Sequence, residues 1–402
     1  MRKIVATIAA GWVLAAAGQA QTLAPTLASA LEQAWARAPQ AQAFSALEAQ
    51  AQATDELAAG LTPAPPSVSL SNASDRFNAA TGKDAWELEL ATPIWLPGQR
   101  AAQRSAAHST VADIAARRTA LRLQLAAEVR DAWWALALAR NALDAATRRQ
   151  ASADALQADV QRRFKVGDLA RVDANLADLE RLAAQDEMLQ AQSNVDQTEQ
   201  AFRTLTGSAA PTQLPEEIAP SPTTTPESHP QLVAAQAQAQ LAQARVGVAE
   251  QTGRDAPELA LRWGRDRGDA TTAYADSVGI KLTVPFGSPA RLRQETAGAL
   301  AQAAQADAEL VLIQQRLGLD LARAQRDAYT AQRQLDHAQA RMALTDDTLR
   351  LSEKSFSLGE SDLASLLRAR AAALESQAHL ARQRIARAAS ISRLNQSLGV
   401  LP

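Results

Sequence analysis

The chain contains no cysteine. That excludes disulfides, thiolate zinc sites, iron–sulfur ligation, a cysteine nucleophile and a lipid-anchored cysteine behind a leader. Aromatic residues make up only 4% of the 402 positions, a poor supply for one large globular core. An excess of either charge sign is also missing. Lys and Arg total 41 against 43 Asp and Glu, for a net charge of −2. A nucleic-acid protein held by phosphate neutralisation is therefore disfavoured. Beyond the first twenty residues no run is apolar enough to span a bilayer as a helix. Alanine is what abounds, at about a quarter of the chain, and it is the best helix former with little bulk. The mixture suits long helices packed closely together in an elongated object.

The N-terminus reads as an export signal. Arg2 and Lys3 form a basic start, Ile4 to Ala17 an apolar stretch too short to span a membrane, and Gly18-Gln19-Ala20 a small-residue cleavage site. Residues 1–20 are thus expected to be a signal peptide, cut after Ala20. An exported chain can still cross an outer membrane as β-strands.

An internal repeat organises the remainder. Pro39 pairs with Pro230 and Pro66 with Pro257 at an offset of 191. Pro93 pairs with Pro285, Phe164 with Phe356, Gly167 with Gly359 and Gly207 with Gly399 at 192. Arg130-Asp131-Ala132 resembles Arg326-Asp327-Ala328 at 196, which requires a four-residue gap in a long helix. The expected layout is a first repeat over 21–207, a proline-rich extended linker over 208–230 and a second repeat over 231–402.

Each repeat reads as helix, strand pair, long helix, turn, helix. In the first, a helix is predicted over 27–60, capped by Thr26 or Ser29 and stopped by Gly60 and the prolines after it. Strands follow at 67–72 and 85–92, a helix at 101–165, a left-handed end at Gly167, and a helix over 168–206 capped by Asp168. The second repeat predicts helices over 230–252, 290–357 and 360–398, with strands at 258–263 and 277–284. A 65-residue helix is about 97 Å long, too long for one compact core, so coiled-coil neighbours are required.

The strands alternate with period two. Trp86, Leu88 and Leu90 alternate with Glu87 and Glu89. Val278, Ile280, Leu282 and Val284 alternate with Lys281 and Thr283, and Leu259, Leu261 and Trp263 with Glu258 and Arg262. In an exported chain this pattern suits a barrel wall, apolar residues to lipid and charged ones to the lumen. Four strands cannot close a barrel, since the smallest have about eight. Three chains would supply twelve.

Two hairpin-tip motifs stand in register between the repeats: Phe164-x-Val-Gly-Asp-Leu-Ala-Arg-Val-Asp173 and Phe356-x-Leu-Gly-Glu-Ser-Asp-Leu-Ala-Ser365. With the tandem halves and the strand pairs ending in Pro93 and Pro285, they make the chain resemble the TolC-type outer-membrane efflux family over its mature length. The Gly-Asp-Leu-Ala-Arg tip is most similar to the CzcC-like branch. The resemblance implies a mainly α chain with a small β part, a homotrimer, a twelve-stranded outer-membrane barrel and a periplasmic helical barrel. It implies two partners, a periplasmic adaptor protein and an inner-membrane pump of the resistance-nodulation-division type, besides outer-membrane lipid.

By the same resemblance Val166, Gly167, Asp168, Leu358, Gly359 and Glu360 are adaptor-contact tips. Asp173, Asp362, Ser365 and Arg368 sit at the periplasmic gate, with Arg368 able to pair with Asp173 or Asp362. Lumen-facing strand residues are Glu87, Glu89, Lys281 and Thr283; lipid-facing ones are Trp86, Leu88, Leu90, Val278, Ile280 and Leu282. The implied function is a passive exit duct in tripartite efflux, with metal cations among its candidate cargoes. A secreted coiled-coil structural or adhesive protein is the alternative; it leaves the matched strand pairs unexplained.

No catalytic constellation, cofactor motif or metal-ligand cluster is found. His108, His229, His337 and His379 are scattered, without partners at i+4, and read as surface residues. The acidic pairs Glu216-Glu217 and Asp346-Asp347 read as solvated. An enzyme is not expected.

Overall fold

A computed structural model describes residues 26–221 and 226–402. The expected signal peptide lies outside the described residues. The chain is mainly helical, with one small antiparallel sheet. In the first repeat α1 (Leu27–Arg37) and α2 (Pro39–Ala58) precede β1 (Ser67–Ser74) and β2 (Asp84–Pro93). Then come α3 (Gln99–Lys165) and α4 (Arg171–Thr206). The second repeat follows with α5 (Pro230–Gln251), β3 (Glu258–Arg267), β4 (Ala275–Thr283), α6 (Pro289–Ser357) and α7 (Leu363–Ser397).

Three helix boundaries differ from expectation. The first helix breaks at Ala38, whose extended backbone (ψ 122°) follows from the proline after it, because Pro39 disfavours a helical residue before it. Thr26 is the true cap of α1, exchanging hydrogen bonds with Ser29 at 2.9 and 3.2 Å. Asp168 does not cap α4. That helix starts at Arg171, with Asp173 reaching back to accept from the Ala170 amide at 3.2 Å. In the second repeat α7 starts at Leu363, where Asp362 accepts from the Ser365 amide at 2.9 Å.

α3 and α6 have 67 and 69 residues and run about 100 Å each. Buried residues recur at seven-residue spacing: Ala139, Ala146, Ala153 and Val160 on α3, Ala177, Ala184 and Ala191 on α4, Leu317, Ala324, Ala331 and Ala338 on α6. A seven-residue repeat keeps the seam facing its neighbour in a left-handed supercoil, and alanine lets the backbones approach closely. α2 and α4 lie along α3 one after the other, as do α5 and α7 along α6. The packing order is α2–α3–α5–α6 in one half of the length and α4–α3–α7–α6 in the other.

Where the two halves meet, Leu27, Leu31, Val129, Trp133, Trp134, Phe202, Ala388 and Ala389 form the largest core. Trp134 Nε1 donates to Ser392 Oγ at 2.9 Å, tying α3 to α7. The segment after α4 is pinned here rather than loose. Arg130 pairs with Glu217 at 2.6 Å, with side chains only 3% and 9% exposed, and also donates to the Val400 carbonyl at 3.0 Å. Asn395 donates to the Ile218 carbonyl at 3.0 Å. Glu217 is therefore a buried ion-pair partner, not a solvated acid.

Candidate functional site

The two strand pairs join into one sheet of order β1-β2-β3-β4, because β2 pairs with β3 across the repeats. Its register sorts the side chains into two faces. Val68, Leu90, Leu261 and Ile280 form one row across all four strands; Leu70, Leu88, Trp263 and Val278 form the next. Leu282 continues that face beside Leu259, and Trp86 closes it toward the loops. Val284, expected in the same series, falls one residue past β4. No helix among the described residues packs along the sheet, and this apolar face stands exposed there.

The opposite face carries Glu87, Glu89, Arg262, Lys281 and Thr283. Arg262 bridges Glu87 and Glu89, the latter at 3.2 Å, and Lys281 reaches Glu89 at 3.4 Å. The sequence pattern had placed the residues; Arg262 as the hub linking both acids emerges only from the β2–β3 pairing.

Strands of 10, 10 and 9 residues fall within the 9–11 that a tilted membrane strand needs, and β1, with 8, is one short. All helices leave from one end of the sheet. At the other, the two turns are fastened together by Ala270 N–H donating to Thr81 O at 3.0 Å. Both outer edges, β1 and β4, are unpaired among the described residues. No helix among the described residues is long and apolar enough to cross a membrane.

At the far ends of the helices lie the two tips. Gly167 (φ +88°) and Gly359 (φ +77°) take the left-handed conformation. Asp168 N–H donates to Arg163 O at 2.9 Å and Glu360 N–H to Ser355 O at 3.0 Å, the same helix-ending bond in both repeats. A β-carbon at either glycine would meet nothing within 4 Å, and Val166 and Leu358 beside them are exposed. Gly207 and Gly399 are also left-handed, yet a β-carbon there would strike Arg37 or Pro230. The tip glycines therefore end helices in open space, whereas the other pair also makes room for packing. Behind the tips Leu156, Val160, Ala174, Leu363 and Leu366 bind the two hairpins into one cluster.

Of the four residues expected at the gate, Ser365 and Arg368 touch, and among the described residues the expected ion pair does not form. Arg368 donates to Ser365 Oγ at 2.8 Å and forms no bridge to Asp173 or Asp362, each of which is occupied at a helix start. Hydrogen bonds from Ser365 hold the Asp362 carboxyl below the ordinary aspartate range.

No group of histidines and carboxylates that could hold a metal ion occurs among the described residues. His229 is not a surface residue. It is buried, caps α5 by accepting from the Gln231 amide at 3.2 Å, and burial lowers its pKa. Its burial could not be inferred from sequence, since the residues around it come from α6 and from the end of the chain.

The family model described as outer membrane efflux protein matches residues 223–400. No curated protein sequence matches the chain significantly. Among solved structures, the outer membrane protein VceC of Vibrio cholerae is 19% identical with a TM-score of 0.75, covering 93% of this chain and 96% of that one. The Campylobacter jejuni CmeC outer membrane channel is 17% identical at 0.74, covering 93% and 85%. The open-state MtrE outer membrane channel of Neisseria gonorrhoeae is 16% identical at 0.74, covering 94% and 89%.

Proposed function

Since the second repeat matches the outer membrane efflux proteins and the whole chain has the TolC-type channel fold, we propose that three copies form a passive outer-membrane exit duct. It is a conduit and not an enzyme. One observation carries the reading: a sheet with an apolar face that no described residue covers, a charged face opposite, and two edges unpaired among the described residues. Open edges are not tolerated in lipid, so β1 of one copy must pair with β4 of the next. The helical layer has the same unfinished edges. α4 exposes Val172, Leu179, Leu182 and Leu189, and α6 exposes Val311, Leu312, Leu319, Leu344 and Leu351. Such a head-to-tail contact closes into a ring.

In this reading the first-named strand set, Trp86, Leu88, Leu90, Val278, Ile280 and Leu282, faces lipid. Glu87, Glu89, Lys281 and Thr283 line the lumen. The exposed tips at Val166–Asp168 and Leu358–Glu360 dock a periplasmic adaptor, itself fed by an inner-membrane pump. The stretch holding Asp173, Asp362, Ser365 and Arg368 narrows the entrance. Metal cations are the cargo to test first, on the similarity of the first tip to the CzcC-like branch. Selection would rest with the pump, as the wall offers charge but no clustered ligands.

The test is to fractionate envelopes, measure trimer migration and record conductance in planar bilayers. Outer-membrane trimers that conduct are expected, with a higher conductance for Arg368→Ala if Arg368 narrows the entrance. A chain that stays soluble and non-conducting defeats the duct. Deleting the gene and measuring sensitivity to metals and drugs then identifies the cargo, and Gly167→Val with Gly359→Val should abolish complementation while leaving trimers intact.

A further inference from the structure

The outward face of the sheet does not end with its apolar rows. At the loop end it opens into a recess of about 640 Å³, lined by Asn72, Arg76, Phe77, Lys83, Trp86 and Arg267. Asn72, Trp86 and Arg267 alternate in phase with Leu70, Leu88 and Trp263, so they lie on the face assigned to lipid. The helices leave from the opposite end of the strands. On the outer-membrane reading, on which this inference rests, the recess therefore sits at the level of the outer leaflet's headgroups.

Its charge is distinctive. On the lumenal face both cations are paired, Arg262 with two glutamates and Lys281 with one. In the recess Arg76, Lys83 and Arg267 form no ion pair with any described residue, although two acids line the same space. Those acids take their hydrogen bonds from neutral donors, although Asp84 stands directly across from Arg267 in the register and feels its charge. Asp84 accepts from Asn72 at 2.8 Å, Tyr274 at 2.9 Å and Trp86 at 3.3 Å. Asp75 accepts from the Thr81 amide at 2.8 Å and from its hydroxyl.

Arg267 is also held in place. Its Nε donates to Gly82 O at 3.1 Å, and its guanidinium lies 4.8 Å from the Tyr274 ring centre. The terminal nitrogens are left without a protein acceptor. Unpaired cations at a membrane surface attract lipid phosphate, and a fixed guanidinium suits bidentate phosphate contact. Phe77, 99% exposed at the rim, adds an apolar contact that a free anion would not use.

We propose that this recess binds the phosphate of a phosphorylated outer-leaflet glycolipid. Arg267 and Lys83 hold the phosphate, Arg76 adds charge at the rim, and Phe77 packs against the lipid body. The site fixes the barrel's depth from the outside, where the apolar rows alone would let it slide.

Purified trimers in detergent, titrated with bis-phosphorylated lipid A and read by native mass spectrometry, test this. Wild-type trimers should retain the lipid. Enzymatically dephosphorylated lipid A, or the Arg76→Gln/Lys83→Gln/Arg267→Gln variant, should bind about tenfold more weakly or worse, as expected for lost charge-assisted hydrogen bonds. Lys83→Gln alone, in a loop and without a protein partner, should already weaken binding, so the test survives if the triple variant misassembles. Equal binding of both lipids, equal binding by the variants, or full displacement by millimolar inorganic phosphate overturns the site. Failure of the wild-type chain to form outer-membrane trimers would instead strike the duct reading itself.

Discussion

The same short motif occurs in both long helices and meets two different fates. Arg130, Asp131, Ala132 and Trp133 in α3 correspond to Arg326, Asp327, Ala328 and Tyr329 in α6. Trp133 is 0% exposed and packs against Phe202 with the rings tilted by 53° and their centres 6.1 Å apart, whereas Tyr329 is 65% exposed. Arg130 is buried against Glu217, whereas Arg326 only donates to its own helix at Ala322 O, 3.1 Å. The helices are equivalent by repeat but not by position. α3 is flanked on both sides within the chain, and α6 is an edge. The duplication therefore reproduces the elements, and the neighbours decide which copies build a core and which await another subunit.

The largest expected effects break this contrast at its centre. Trp133→Ala should cost about 3–5 kcal/mol, the range for removing a buried aromatic, while Tyr329→Ala should leave the single chain within about 0.5 kcal/mol. Thermal unfolding in detergent measures both; a matching loss at Tyr329 would place it in a subunit interface.

Arg130→Met should cost a similar 3–5 kcal/mol or so, because Glu217 would remain buried without its partner, and Arg326→Met almost nothing. A double variant with Glu217→Leu should recover much of the loss, and absence of recovery would deny that the ion pair is the cause.

The sheet sharpens the comparison at an intermediate scale. Ile280→Arg should cost roughly 2–4 kcal/mol as a mid-strand charge toward lipid, and Thr283→Arg much less. Yields of assembled trimer report the difference, and equal yields would reverse or void the assigned faces.

The smallest effect concerns His229. Burial, partly offset by a hydrogen bond to the Gln396 backbone and by the charge of Asp320, lowers its pKa below the ordinary value of 6.5. The unfolded chain therefore takes up the proton first, and stability falls as pH drops below about 6.5 toward the folded value. Protonation would also remove the Nδ1 acceptor that caps α5. His229→Asn keeps a capping acceptor and should flatten this acid limb of a denaturation profile; an unchanged limb would assign the acid sensitivity elsewhere.

Much was legible because it is local. Apolar residues at three- and four-residue spacing, proline and glycine punctuation and period-two strands yielded the long helices and the strands to within a few residues; the break at Ala38 and the short 3-10 turn Pro226–Ser228, inside the stretch read as extended, were not foreseen. At Ala38 the repeat had already marked Pro39, and the proline's effect on the residue before it was not applied. Asp168 looked like a cap by its place after Gly167, yet the turn extends two residues further and Asp173 serves from inside the helix. The tip glycines could be read from sequence; that they face open space, unlike Gly207 and Gly399, could not.

The sequence by itself determined the repeat, the helix lengths, the alternation of the strands and the left-handed turns, because each depends on residues close along the chain. Only the tertiary structure decided that β2 joins β3, that Arg262 links both glutamates, that Glu217 and His229 are buried, and that Arg368 turns to Ser365. Except for Arg368 and Ser365, which are three residues apart, those outcomes depend on segments far apart along the chain becoming neighbours, as for Arg130 with Glu217 across 87 residues and Arg262 with Glu89 across 173. Burial and charge pairing are properties of that neighbourhood, and two copies of one motif can acquire opposite ones.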